Sequence, residues 1–349
     1  MPNDNLFDPI SGPIEEAISK ALKSGRIDEG SSLEFVESLI DKSSRDLASS
    51  FVETSPRMLS ENREMIQGFV DRCYSRWKEP IDLLRIIWEV CKELAEAHSH
   101  NGPIGIDPVT FNVLAHLQPK ALLIANEILW LLEGGYADAA LSRWRTLHEV
   151  TITAMFIAKH DPLTARDYQY QEIFTSRRNA RNLSLHSHRA GIQGFSEDEL
   201  NEMDQACDLV EGIIGRTLAG DFDWAAVALK RSDSRVNFAA IEKDVGMDHW
   251  GPRYRWACQH THAGFWGPHK LLGMSEAKNP MFLVGPSNSG FVDPLHMTAI
   301  SLHQITATFL LSGEPDSGRT VYTKVIGHLA EILGPLAMKV EQETLEGVE

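Results

Sequence analysis

Residues Leu131–Tyr168 read LLEGGYADAALSRWRTLHEVTITAMFIAKHDPLTARDY, and the fold is decided by what this stretch can form. Gly134-Gly135 ends one helix, and Asp161-Pro162 stops the next, because the residue before proline is pushed out of the helical region. Between them, Tyr136–His160 carries Ala139, Ala140, Leu141, Trp144, Leu147, Val150, Ile152, Met155, Phe156 and Ile157, which leaves no wide polar face. A helix that is apolar almost all round belongs in the middle of a bundle. Arg145 and Glu149 lie one turn apart on it with His148 adjoining. Unpaired charge is expensive to bury, so they are expected to pair with each other or with a neighbouring helix. Two readings stand: a cluster that holds an anion or substrate on a pocket wall, and a structural ion pair that sets helix register.

Outward from this helix the chain is helical in both directions. Upstream, residues 13–24, 30–50, 60–78 and 81–97 carry apolar residues at three- and four-residue spacing. Ser31 and Ser32 are placed to cap the second of these, Ser60 opens the third, and Pro80 stands at the start of the fourth. His98–Pro108, with Gly102, Pro103, Gly105 and Pro108, is the clearest break. Residues 109–133 form another helix, with Pro119 a candidate interruption. Downstream, helices are expected over 163–188, from Ser196 with Glu199 at capping-box spacing, and over 252–272, 293–312 and 318–345. Residues 220–250 read as irregular, and Met281–Val284 is the one candidate strand, equally readable as a loop. The expected fold is all-α, a bundle of about ten helices. Its parts are an N-terminal helical region (1–108), a main all-α domain (109–315), and a C-terminal helix with an acidic tail (316–349).

Hydrophobic residues make up 43% and charged residues 23% of 349, enough apolar side chain to build a core. The formal net charge of −16 repels nucleic acid and anionic membrane, so a polyanion would need a local basic island. Cys73, Cys91, Cys207 and Cys258 form no C-x-x-C pair, which points to free thiols in a reducing compartment. The opening MPNDNLFDPISGP lacks a basic segment followed by an apolar run, and no apolar stretch is long enough to cross a bilayer. The cytoplasm is the expected location, with no membrane association.

Cys258 and His262 are four residues apart, a spacing that suits a metal-ligand pair or a thiol–imidazole pair. The pairs His98/His100, His186/His188 and His260/His262 diverge by about 200° on a helix. Since no further ligands share a recognisable spacing, no metal or other cofactor is expected. The strongest charge anomaly is 173–196, with Arg177, Arg178, Arg181 and Arg189 beside His186 and His188 and not one Asp or Glu. Such an island can meet phosphate or simply be a solvated basic face.

The quoted stretch resembles a bacterial family catalogued as domain of unknown function 5677. In that family a Gly-Tyr turn leads into an Arg-x-x-x-Glu pair, here RTLHE (Arg145–Glu149), and a later helix carries Tyr-x-x-x-Ser-x-x-x-His. Here the second element is YRWACQHTH (Tyr254–His262), with Cys258 where the pattern has serine. The resemblance covers roughly 115–310 and implies an all-α fold and a bacterial source, but no reaction. If the protein has an active or binding site, the residues themselves place it between these two helices, lined by Arg145, His148, Glu149, Tyr254, Cys258 and His262. Separately, RNLSLH (Arg181–His186) is similar to the Arg-Asn-x-x-x-His pattern of HEPN-type helical ribonucleases. That similarity implies a metal-independent ribonuclease, a toxin or phage-defence effector, with Arg181 and His186 catalytic and Arg177, Arg178 and Arg189 binding RNA phosphate across a homo-oligomer. Arg143…His148 and Arg255…His260 fit its looser Arg-x4-His form in the same chain. The competing expectation is a non-catalytic binding or scaffold module.

Overall fold

A computed structural model describes residues 8–25, 32–231, 235–261, 271–279 and 281–346. Among them are ten α-helices and no strand: α1 (Asp8–Lys23), α2 (Ser32–Asn101), α3 (Pro108–Glu133), α4 (Ala137–Lys159), α5 (Pro162–Ala190), α6 (Glu197–Ile214), α7 (Phe238–Asp244), α8 (Gly251–Gln259), α9 (Val292–Leu310) and α10 (Ser317–Glu346). The all-α bundle is as the sequence implies, and 281–284 is loop. Two compact units divide at Phe69/Val70. The first carries α1 and the beginning of α2; the second, Val70–Glu349, contains the helical core and the cleft described below. The break expected at 98–108 spans the end of α2 and the start of α3.

Three upstream helices were expected where α2 runs unbroken for 70 residues, through Ser60 and Pro80. A proline removes one hydrogen bond and strains the preceding turn, at about 3 kcal/mol. Across Pro80 the completely buried stripe Cys73, Trp77, Ile81, Leu84, Ile87 and Cys91 continues at helical spacing, and its packing outweighs that cost. α3 likewise passes through Pro119 without interruption. Elsewhere local side-chain and glycine signals start and end the helices. Asp107 accepts hydrogen bonds from the Val109 and Thr110 amides at 2.9 and 3.0 Å, with Pro108 in the first turn. Ser196 and Glu199 close a capping box at the start of α6. Gly191 and Gly215 end α5 and α6 at φ +65° and +71°, a conformation most side chains resist.

The core of the second unit is built by α3, α4 and α9, with α10 against α9. Ala140, Leu141, Leu147, Ile152, Phe156 and Ile157 of α4 are completely buried. The Trp144 indole N–H lies 3.0 Å from both the Met297 carbonyl and the Ser301 hydroxyl of α9. α10 approaches α9 closely because glycines face imidazoles: Gly327 meets His303, and Gly334 meets His296. Burial holds both imidazoles below their ordinary pKa, and Arg253 adds to the effect at His296. A Cβ at Gly334 would fall 2.7 Å from the His296 ring. Gly334→Ala is therefore expected to destabilise the protein by about 1–3 kcal/mol despite alanine's better helix propensity. Gly327→Ala should cost less, since the nearest ring atom would be 3.1 Å away. Denaturant midpoints of the two variants check this order.

Candidate binding cleft between α4 and α8

α4 presents Arg145 and Glu149 on one face, and α8 lies across that face. The Arg145 guanidinium lies 2.9 Å from the Glu149 carboxylate. Its Nε donates to the Cys258 sulfur at 3.0 Å, and its Nη2 donates to the Tyr254 hydroxyl at 2.9 Å. That hydroxyl in turn donates to Glu149, and the guanidinium sits 5.1 Å from the Tyr254 ring centroid. Four of the six residues singled out for the pocket thus meet in one hydrogen-bonded cluster. His262 lies outside the described residues.

The cluster is less buried than an apolar α4 suggests, with side-chain exposures of 26% for Arg145 and 30% for Glu149. The buried pair on α4 is a different one. His148 Nε2 is 2.9 Å from Glu242 of α7, at exposures of 2% and 5%. Glu242 is more than ninety residues downstream in a segment that reads as irregular, so no spacing rule could have named it.

Burial, then the hydrogen bond to Glu149, pushes the Tyr254 phenol well above its ordinary value near 10. Tyr254 therefore remains a neutral donor across the physiological range. The folded state holds this proton more tightly than the unfolded chain does. Its contribution to stability is complete below pH about 10 and is lost as pH rises through the folded value. Tyr254→Phe should show a shallower alkaline loss of stability than the parent, measured by urea midpoints above pH about 10.

Beside the cluster opens a cleft of about 700 Å³, lined by Asp138, Ser142, Arg143, Arg145 and Thr146 of α4, Gln259 of α8, and His260, Thr261 and Leu271 beyond it. Sequence reasoning missed Asp138 and His260 as partners. Asp138 accepts the Leu272 and Gly273 amides at 2.8 and 3.0 Å, and His260 Nδ1 lies 3.3 Å from its carboxylate. The only signals were an acidic residue in the first turn after Gly134-Gly135 and a histidine in a His-x-His pair. The helix expected over 252–272 closes at Gln259, which puts His260 at its C-terminal cap and lets it turn toward Asp138. Among the described residues no group of three or more His, Cys, Asp or Glu side chains is placed to hold a metal ion.

The basic island on α5 is not isolated in space. Arg181 pairs with Asp204 of α6, Arg177 lies 3.7 Å from the same carboxylate, and Arg178 is 2.6 Å from Asp221. His186 and Arg189 are exposed near the end of α5. Arg181 and His186 sit on one uninterrupted helix, about 140° apart around its axis. Within one chain their side chains are not brought together.

Residues 111–279 match the model of a family of unknown function, DUF5677. The chain carries a DUF5677 region. That region spans α3 to α8, so it holds both walls of the cleft. No curated protein and no solved structure matches the chain. No described helix is long and apolar enough to cross a membrane.

Proposed function

We propose that this DUF5677 protein is a binding module whose α4–α8 cleft takes a small molecule bearing an oxyanion. The observation that carries the reading is that two arginines line one cleft of ligand size. Pockets for small molecules run to about 300–1,000 Å³, with a few converging polar groups. Arg145 spends Nε and Nη2 on its cluster, and Arg143 spends Nε on Glu127. A guanidinium has five N–H donors in a rigid fork, so each retains donors for an oxyanion. The Ser142, Thr146 and Thr261 side chains line the same space. The carboxylate partners hold the guanidinium planes in place, so less freedom is lost on binding.

Titration with inorganic phosphate, followed by calorimetry and by the thermal midpoint, tests this. Binding that raises the midpoint is expected. Arg143→Ala should weaken it roughly tenfold or more, since a charge-assisted hydrogen bond contributes about 1.5–3 kcal/mol. Absence of any phosphate binding would sink the reading.

A second reading is a metal-independent HEPN-like ribonuclease, a toxin or phage-defence effector, centred on Arg181 and His186. What favours it is that His186 and Arg189 stand exposed beside Leu185, which is 75% exposed, so a second copy of the chain could complete a site there. Arg181 would have to exchange Asp204 for a phosphate, and the site would need two protomers. RNA cleavage in EDTA, abolished in His186→Ala and dependent on protein concentration, is what this reading expects. Intact RNA under those conditions excludes it.

A further inference from the structure

We infer that Asp138 and His260 form a general-base dyad in the cleft, and that the protein hydrolyses a small phosphate ester bound there. The inference rests on the oxyanion reading above. Its starting point is the different state of the two imidazole nitrogens. Nδ1 lies 3.3 Å from the Asp138 carboxylate, whose oxygens are fixed by the Leu272 and Gly273 amides. A carboxylate beside Nδ1 favours the tautomer with the proton on that nitrogen, which leaves the lone pair on Nε2. His260 Nε2 is buried and has no hydrogen-bond partner among the described residues, on a side chain 9% exposed. Protein interiors rarely leave such an atom unpaired, and a bound water or ion, local strain or a catalytic role accounts for the exceptions. His260 lines the same cleft as Arg143 and Arg145.

A base beside a carboxylate, on a residue that lines a cleft able to hold an anion, is the arrangement that activates a hydroxyl or water. Water is the co-reactant. Its oxygen bonds to phosphorus while its proton passes to Nε2. The phosphorus–oxygen bond to the leaving group breaks, and the leaving alkoxide takes the proton back from Nε2. Arg143 and Arg145 hold the phosphoryl oxygens as negative charge builds on them. His260 is the catalytic residue here. Asp138 is a positioning residue, acting through the imidazole and through the 271–274 segment that it ties to α4.

The test is hydrolysis of p-nitrophenyl phosphate by the full chain, alongside calorimetric binding of inorganic phosphate. The parent protein should release p-nitrophenol. His260→Gln should lower kcat by roughly 10²–10⁴-fold with KM far less affected, as loss of a general base does. Asp138→Asn keeps an acceptor for only one of the two loop amides, and should move the rising limb of the kcat–pH profile. A purely structural role for Asp138 would leave that limb where it is. Melting curves and circular dichroism of both variants report whether each remains folded. If His260→Gln proves unfolded, Asp138→Asn alone decides through its pH profile. Phosphate binding without hydrolysis, or hydrolysis undiminished in folded His260→Gln, overturns the dyad and leaves the binding reading standing. No phosphate binding removes both.

Discussion

Glu242→Ala and His148→Ala should each cost about 3–5 kcal/mol of stability, the size of effect seen when one member of a buried pair is removed. The two side chains are 5% and 2% exposed, and the imidazole nitrogen and carboxylate oxygen are 2.9 Å apart. Phe238 and Tyr254 pack edge-on or tilted around the imidazole, so little water can reach a group left alone. Replacing both partners by apolar residues of similar volume should be far milder, because no orphaned polar group remains. A double-mutant cycle read by urea unfolding separates the two cases. Additive effects below a kilocalorie would mean the pair is not coupled. The same cycle at Arg145 and Glu149 should give a smaller coupling, since a side chain about a quarter exposed lets solvent screen the charge.

Trp144→Ala should be comparably severe, at about 3–5 kcal/mol, for a different reason. Its side chain is 1% exposed between α4 and α9, and truncation leaves a large cavity that a close-packed three-helix core cannot fill. The change also strips a donor from the Met297 carbonyl and the Ser301 hydroxyl. Trp144→Phe should recover most of the packing but not the hydrogen bonds, and so fall between the two. Chemical denaturation of the three proteins tests the ranking. A phenylalanine variant as unstable as the alanine one would mean that the hydrogen bonds dominate over cavity formation.

Much of the fold could be read without coordinates. The apolar circumference of Tyr136–His160 required a central helix, and Trp144, Leu147, Phe156 and Ile157 are indeed all buried. The cap at Ser196 marked a helix start because a side-chain oxygen satisfies amides that a helix leaves free, a local rule that needs no partner. Punctuation by proline was the less dependable signal. Pro80 and Pro119 both lie inside continuous helices, where packing on either side exceeds the local cost.

The site divides in the same way. Arg145, Glu149, Tyr254 and Cys258 were legible because each pair falls one helical turn apart within its own helix, and only one helix then had to be laid on the other. Sequence by itself determined which side chains α4 and α8 would offer, and that α4 would be buried. Tertiary structure alone decided that Glu242 would take His148, that Asp138 would reach His260 across more than a hundred residues, and that Asp204 and Asp221 would face the α5 arginines. Helical periodicity orders neighbours three and four residues apart. These partners are set by where the chain returns after its irregular segments, and that is fixed only by the packing of the whole bundle.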